Sequence, residues 1–183
     1  MKINIGAGDT VENDYIRIDY DQLTNPDHVL NLEKDRLPFE DSTVEAVKAH
    51  HILEHLGEGF FHCLQELYRV CKHGARINIR VPHPRHDAFL ADPTHRRPIT
   101  VTTMQMFSKK FNEMCRLQNV ATSRLGDHFN VDFEIIDYKY LPDRAMESTI
   151  QHLNNEQKME YANQHFNIIS EIEITLIVVK NEQ

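Results

Sequence analysis

The chain reads as one α/β domain built on a mostly parallel sheet. Three observations predict this. Strand-like runs alternate with helix-like runs along the whole length. The runs are short and bounded by Gly, Pro, Asp and Ser, as strands and their turns are. The 183 residues are 40% hydrophobic and 26% charged, which suits a single globular domain with a full core.

The elements follow in order. Residues 2–5 form a short strand that ends in the turn Gly6-Ala7-Gly8. Residues 15–19 (YIRID) alternate as a second strand, and 28–32 form a third. The segment 37–41 (LPFED) is a loop, and 44–50 (VEAVKAH) a fourth strand running into a helical turn at 52–56. Apolar residues at Phe60, Leu64, Leu67, Tyr68 and Cys71 have helical spacing, with an exit expected at His73-Gly74. Residues 76–81 (RINIRV) are a strand ended by Pro82, followed by a loop rich in Pro, His and Arg. Thr102 or Thr103 can cap a helix over 104–111. Residues 131–140 alternate as a strand, 145–165 read as a helix, and 172–179 (IEITLIVV) form the last strand.

Composition excludes several classes. No run of about 18 apolar residues is present, so no membrane span is expected. The opening MKINIGAGDT enters a strand without a signal-peptide core. Cys63, Cys71 and Cys115 form no C-x-x-C pair and suit reduced, buried thiols. A cytoplasmic protein is the expectation. The net charge of −8 disfavours duplex nucleic acid as a partner. The charge is uneven, however. Residues 76–110 carry +5, leaving −13 elsewhere, and eight of the twelve histidines lie between His50 and His95.

In parallel sheets ligands sit beyond the carboxyl ends of the strands. The residues just after each strand are Gly6-Ala7-Gly8, Asp19, Asn31, His51 and Pro82-His83. Glycine allows a tight turn and a close approach of backbone to a ligand. A strand-end Asp can accept hydrogen bonds from both hydroxyls of a ribose. Each alone is a weak signal; a solvated turn explains either one. Strand-GxG followed by strand-Asp is more specific.

These pieces together resemble the small class I S-adenosylmethionine-dependent methyltransferases, of methyltransferase type 11. The corresponding segments are INIGAG (3–8), IRIDYD (16–21), LPFEDSTVEAV (37–47), HHILEHL (50–56), ELYRVCKHGARINIRVP (66–82) and ITLIVVK (174–180). They fall in the family's order and cover the first half of the chain plus the last strand.

The resemblance implies a single Rossmann-like, doubly wound domain over 1–183. Its mostly parallel seven-stranded sheet would have an antiparallel last strand and helices on both faces. It also implies a cofactor, S-adenosyl-L-methionine, leaving as S-adenosyl-L-homocysteine. Asn4, Gly6, Ala7, Gly8, Asp19, Tyr20, Asn31, Leu32 and His51 match the cofactor-binding positions, with His51 next to the reactive methyl. Asn4 stands where an acid is common and Thr10 where a glycine is common. Eleven positions separate Gly8 from Asp19, too few for the usual first helix. That disfavours a dinucleotide, whose pyrophosphate wants a helix N-terminus.

Two further groups need a reading. His51-Ile52-Leu53-Glu54-His55 spells H-x-x-E-H, the inverted zinc-protease signature. A strand-to-helix junction is the wrong context for it, so no metal is expected, and His55 reads as structural. Glu54 can face the pocket or cap the turn. The segment 82–101 is expected over the site mouth as an acceptor-binding loop, with Arg85, His86, His95, Arg96 and Arg97 contacting the acceptor. His51 and His83 are the catalytic candidates, since histidine titrates near neutral pH. A solvated loop, or a metal set of His83, His86, Asp92 and His95, are the competing readings of this segment.

The expected activity is transfer of a methyl group to an O or N atom of an anionic small molecule or glycan, by in-line displacement. The basic 76–110 segment motivates the anion, because guanidinium pairs with phosphate or carboxylate. The alternatives are a cofactor-binding protein without methyl transfer and a metal-dependent hydrolase. The 143–166 stretch is expected as a helical insertion, serving as packing, a lid or a homodimer contact.

Overall fold

Alternation of apolar and polar residues builds a seven-stranded sheet in the computed structural model, which describes residues 1–180. The elements are β1 (Lys2–Ile5), β2 (Ile16–Asp19), β3 (His28–Val29), β4 (Val44–His50), α1 (Phe60–Val70), β5 (Cys71–Pro82), α2 (Asp87–Ala91), α3 (Val101–Gln105), α4 (Lys109–Leu117), α5 (Leu125–His128), β6 (Phe133–Pro142), α6 (Glu147–Ile150), α7 (Asn155–Gln164) and β7 (Ile169–Val178). The strand order is β3-β2-β1-β4-β5-β7-β6. Strands β1 to β5 pair in parallel, and β7 runs antiparallel to both β5 and β6. The order reverses between β1 and β4. Ligand crevices of such sheets open at that switch point.

The two faces of the sheet differ. Ile3, Ile5, Ile18, Val47, Ala49, Ile77, Ile79, Ile174 and Leu176 are buried on one face, with Phe60, Leu64, Leu67, Met104, Phe107 and Phe133 in the same core. The buried positions of α1 fall at Phe60, Cys63, Leu64, Leu67 and Val70, one apolar stripe. The register places Arg17, Asn4, Lys48, Asn78 and Thr175 in one row of the other face. His50, Arg80, Glu173 and Lys139 form the next row. Some of these side chains pair with one another, although Arg80 Nε is buried without a hydrogen-bond partner. His50 Nε2 meets Asn78 Oδ1 at 2.5 Å, and Arg80 donates to Glu173 at 2.6 Å. Along β1–β3 the expected layer of helices is replaced on this side by a loop and a 3-10 turn at Gln22–Thr24.

Three elements depart from the periodicity. Helix α1 ends at Val70 and the chain enters β5 at Cys71, so His73-Gly74 is no helix exit. Gly74, at φ +76°, instead serves a bulge, where the β4 pairing shifts from Val44↔Cys71 to Ala46↔Arg76. The helix expected over 104–111 is two helices. Thr100, not Thr102 or Thr103, caps α3 through a capping box with Thr103, and Ser108 caps α4. The 145–165 stretch divides into α6 and α7, the second restarted by an Asn154–Gln157 capping box. Ile150, Ala162, Ile168 and Ile169 give it a small core of its own.

Arg69 fastens the loop before β4. It donates to Glu66 and Asp41 and to the carbonyls of Leu37 and Phe39, all at 2.7–2.9 Å. Glu66 also accepts from Leu37 N–H at 2.8 Å. Chiefly Arg69, and then the Leu37 amide, hold the Glu66 pKa below its ordinary value. A lowered carboxylate pKa stabilises the fold above the unfolded value, about 4.3, and that stabilisation fades as pH falls through the folded value. Glu66→Gln is therefore expected to cost about 1–3 kcal/mol at pH 7. The cost should shrink toward pH 3, as urea unfolding at the two pH values will show.

Candidate active site

The end of β1 turns through two left-handed glycines, Gly6 (φ +62°) and Gly8 (φ +50°). A Cβ on Gly6 would stand 2.6 Å from Ile52 Cβ, so β4's exit loop packs directly on this backbone. A Cβ on Gly8 would meet nothing within 4 Å, which leaves the backbone open for a ligand. Asp19 ends β2 and is buried. Its Oδ2 accepts from Gly8 N–H at 2.8 Å and its Oδ1 from Asp21 N–H at 2.9 Å. Each carboxylate oxygen has two lone pairs, so one on each remains.

The other cofactor candidates surround this point unevenly. Ala7 and Leu32 are buried, Tyr20 is exposed beside Asp19, and Asn4 is buried on the polar face. Asn31 is exposed, and its Oδ1 is occupied by Glu33 N–H at 2.9 Å. Its NH2 group remains to donate. The loop replacing the first helix is held by charge. Lys48 bonds Glu12 at 2.5 Å and Lys2 bonds Asp14 at 2.7 Å, with Lys48 over the Tyr15 ring at 4.8 Å.

His51 follows β4 with φ 53°, left-handed for a residue that has a Cβ. Its amide still extends the β5 ladder, donating to Arg80 O at 2.8 Å. Its Nε2 lies 2.9 Å from Glu171 Oε1, and its Nδ1 lies 3.5 Å from Glu54 Oε1. Glu54, and also Glu171, raise the His51 pKa against the opposing effect of burial. Glu54 is fully buried in the 3-10 turn Leu53–His55, and no hydrogen bond reaches either of its carboxylate oxygens.

Beyond these groups lies a cavity of about 270 Å³, walled by His51, Glu54, His55, Asp92, His95 and Glu171 among others. It collects the H-x-x-E-H turn, the 92–95 loop and the start of β7. Backbone bonds hold the loop there, since Arg96 and Arg97 N–H donate to Glu54 O at 2.7 and 3.3 Å. A larger cavity, about 490 Å³, lies against β6, walled by Tyr138, Tyr140, Ile150 and Met159. It is two strands away from β5 in the sheet and contains none of the strand-end groups.

The 82–101 loop, expected to contact an acceptor, does not gather all its expected residues at this cavity. His83 Nδ1 accepts from Arg85 N–H at 3.2 Å, so the neutral ring carries its proton on Nε2 and offers a donor there. Burial, and then Arg85, lower its pKa. His86 caps α2 and meets Asp143 at 3.1 Å. Arg85 donates to Asn163 O and lies over the Phe166 ring, so it braces the 143–166 insertion. Arg97 donates to Leu56 and Gly57 carbonyls and lies 4.5 Å from the Phe60 ring centroid. Arg96 is exposed, and among the described residues no ion pair engages its guanidinium. His95 alone of the five expected contacts lines the cavity. Glu171 went unmarked in the sequence, being one outward residue of an ordinary alternating strand.

Residues 12–79 match the sequence profile of the family described as a methyltransferase domain. No curated protein matches the chain significantly. Among solved structures, a SAM dependent methyltransferase from Archaeoglobus fulgidus is similar with a TM-score of 0.62 at 19% identity, over 96% of this chain and 85% of that one. An S-adenosylmethionine dependent methyltransferase from Mesorhizobium loti gives 0.55 at 12%, over 96% and 89%. The [4+2]-cyclase SpnF gives 0.57 at 14%, over 98% and 75%. At these identities the likeness is one of fold.

The two glycines should respond differently to a methyl group. Gly6→Ala meets both the left-handed backbone and the Ile52 contact, and is expected to cost about 2–4 kcal/mol. Gly8→Ala meets only the backbone cost, about 1–2 kcal/mol. Denaturant unfolding of the two variants measures the difference.

Proposed function

We propose that this chain moves a methyl group to an O or N atom of an acceptor held in the β4–β5–β7 cavity. The family match and the fold support a class I S-adenosylmethionine-dependent methyltransferase, and the reading proceeds from that premise. One observation carries the placement of the cofactor. Asp19, with lone pairs to spare, stands beside the open backbone of Gly8 at the switch point of the sheet.

The residues present suit this cofactor. Gly6, Ala7 and Gly8 would pass under its amino-acid part, Asp19 would bind the ribose hydroxyls, and Asn31 and Leu32 would border the adenine. No helix lies between Gly6 and β2 among the described residues, which agrees with a ligand lacking pyrophosphate. When bound, S-adenosylmethionine supplies a methyl on a sulfonium sulfur, open to in-line displacement with a neutral thioether leaving.

The chain then has modest work to do. Holding nucleophile and methyl in line supplies most of the rate. His51 reaches the cavity from the β4 end, and Glu171 fixes its ring. A protonated amine or a hydroxyl must lose a proton to become the nucleophile, and the His51–Glu171 pair is the group placed to take it. His83 serves this role poorly, since its outward nitrogen is a donor. An anionic acceptor would turn to Arg96, whose backbone N–H is bonded to the cavity residue Glu54, because Arg85 and Arg97 are committed to backbone carbonyls.

A cofactor-binding protein without methyl transfer is the second reading. The [4+2]-cyclase SpnF is similar in fold, and a fold hosts many reactions.

Calorimetric titration with S-adenosylhomocysteine should show micromolar binding that weakens at least about 30-fold in Asp19→Ala, roughly 2 kcal/mol of charge-assisted bonding. Unchanged affinity would remove Asp19 from the site. Arg96→Ala is expected to raise the KM of an anionic acceptor about 3- to 10-fold with kcat unchanged, as loss of an exposed pairing does. Equal kinetics for wild type and Arg96→Ala would remove the anionic acceptor.

A further inference from the structure

We propose that Glu54, His55 and His95 form a binding site for one divalent transition-metal ion, Zn²⁺ being the first candidate. One ligand atom from each residue lies within 4.8 Å of the others. Ligands of a tetrahedral ion at 2.0–2.1 Å stand about 3.4 Å apart, so a small closing of side chains completes the set.

The hydrogen bonds fix the protons in the pattern that a metal needs. His95 Nδ1 lies 2.7 Å from the carbonyl oxygen of Phe89. A carbonyl only accepts, so Nδ1 carries a proton, and in the neutral ring Nε2 keeps its lone pair. His55 Nδ1 lies 2.9 Å from Thr94 Oγ1, and Thr94 gives its one hydroxyl proton to Asp92 Oδ1 at 2.6 Å. Thr94 must then accept from His55, which leaves that ring's Nε2 bare as well. Two imidazoles are thus locked in the tautomer that ligates through Nε2, each by an outer partner, as metal-binding histidines are.

Glu54 supplies the charge. It is 0% exposed and neither oxygen accepts a hydrogen bond. His51 Nδ1 lies 3.5 Å from its Oε1, beyond good hydrogen-bond distance. An ionised carboxylate so placed costs several kcal/mol unless a cation or donor meets it. In that neutral tautomer the two imidazoles beside it bring lone pairs. A divalent ion satisfies all three at once, and imidazole with carboxylate suits Zn²⁺.

The scaffold is rigid. The Arg96 N–H to Glu54 O bond, 2.7 Å, ties the loop bearing His95 to the turn bearing Glu54 and His55. The His95 ring stacks on Phe89 at 5.1 Å and meets His55 edge-on at 4.7 Å. The ligand sets read from the sequence differ from this one. His51 bonds Glu171, while His83 and His86 are held by Arg85 and Asp143. Three protein ligands leave a fourth position, and the cavity bounded by His51 and Glu171 adjoins it. An acceptor oxygen could be held and polarised there, a role that rests on the methyltransferase reading. The ion site itself does not.

The test uses tag-free full-length protein, stripped with a chelator and then titrated with Zn²⁺ and, separately, Co²⁺. One equivalent should bind with sub-micromolar affinity, and Co²⁺ should give the strong visible absorption of a four-coordinate site. His95→Ala and Glu54→Gln should each weaken Zn²⁺ at least about 100-fold, and Asp92→Ala about 10-fold through the outer partner. His83→Ala, outside the set, should bind as wild type does. Circular dichroism checks that each variant is folded, and Asp92→Ala decides if a ligand variant is not. Absence of a stoichiometric site, or one that survives both ligand variants, overturns the proposal. S-adenosylhomocysteine titration of the same samples separates the readings, since zinc binding without it would keep the ion site and remove the methyltransferase.

Discussion

The site depends on one carboxylate accepting from two backbone segments. Asp19 receives Gly8 N–H on one oxygen and Asp21 N–H on the other. These bonds join the exits of β1 and β2 where no helix follows β1. A longer first helix would fix that turn by its own amides. Here the charge-assisted pair does so, with help from Lys48–Glu12 and Lys2–Asp14 around the outside. The same carboxylate keeps lone pairs toward the open side. Under the proposed reading, anchoring and ribose recognition would share this one residue.

The second constraint is a sheet with unlike faces. The apolar face is covered by α1 and the α3–α5 region, and its side chains make the main core. The opposite face closes its polar rows through side-chain bonds such as Arg80–Glu173 and His50–Asn78. That arrangement lets the links from β1 to β3 be short. It also sends Arg80 and Glu171 to the strand ends, where Glu171 meets His51. The polar rows of the sheet and the wall of the cavity are therefore continuous.

Much of this was legible in the sequence. Short apolar and alternating runs bounded by turn residues marked all seven strands, with alternation clearest at 15–19 and 131–140. The linked motifs from INIGAG to RINIRVP placed Gly6, Gly8, Asp19 and His51 at strand ends, and the structure brings them to the switch point. What failed was local direction. Nothing in PHPRHDAFLADPTH says that Arg85 and His86 turn toward the insertion while His95 folds back on the Glu54 turn. Those choices come from tertiary partners, Asn163, Asp143 and Glu54 O. The H-x-x-E-H motif, read in the sequence as a strand-to-turn junction and not a zinc-protease helix, sits in the 3-10 turn Leu53–His55 after β4. A left-handed His51 swings its ring to Glu171, so the motif's two histidines have separate partners. The break between α6 and α7 was likewise hidden in a stretch of good helix formers.

The most direct measurement is a set of ¹H–¹⁵N spectra of labelled protein during titration with S-adenosylhomocysteine. Cofactor bound between β1, β2 and β4 should shift the amides of Gly8, Asp21 and Leu32 strongly and leave those of α6 and α7 in place. Shifts confined to the β6–α7 cavity, with Gly8 and Asp21 unmoved, would contradict the site at the strand ends.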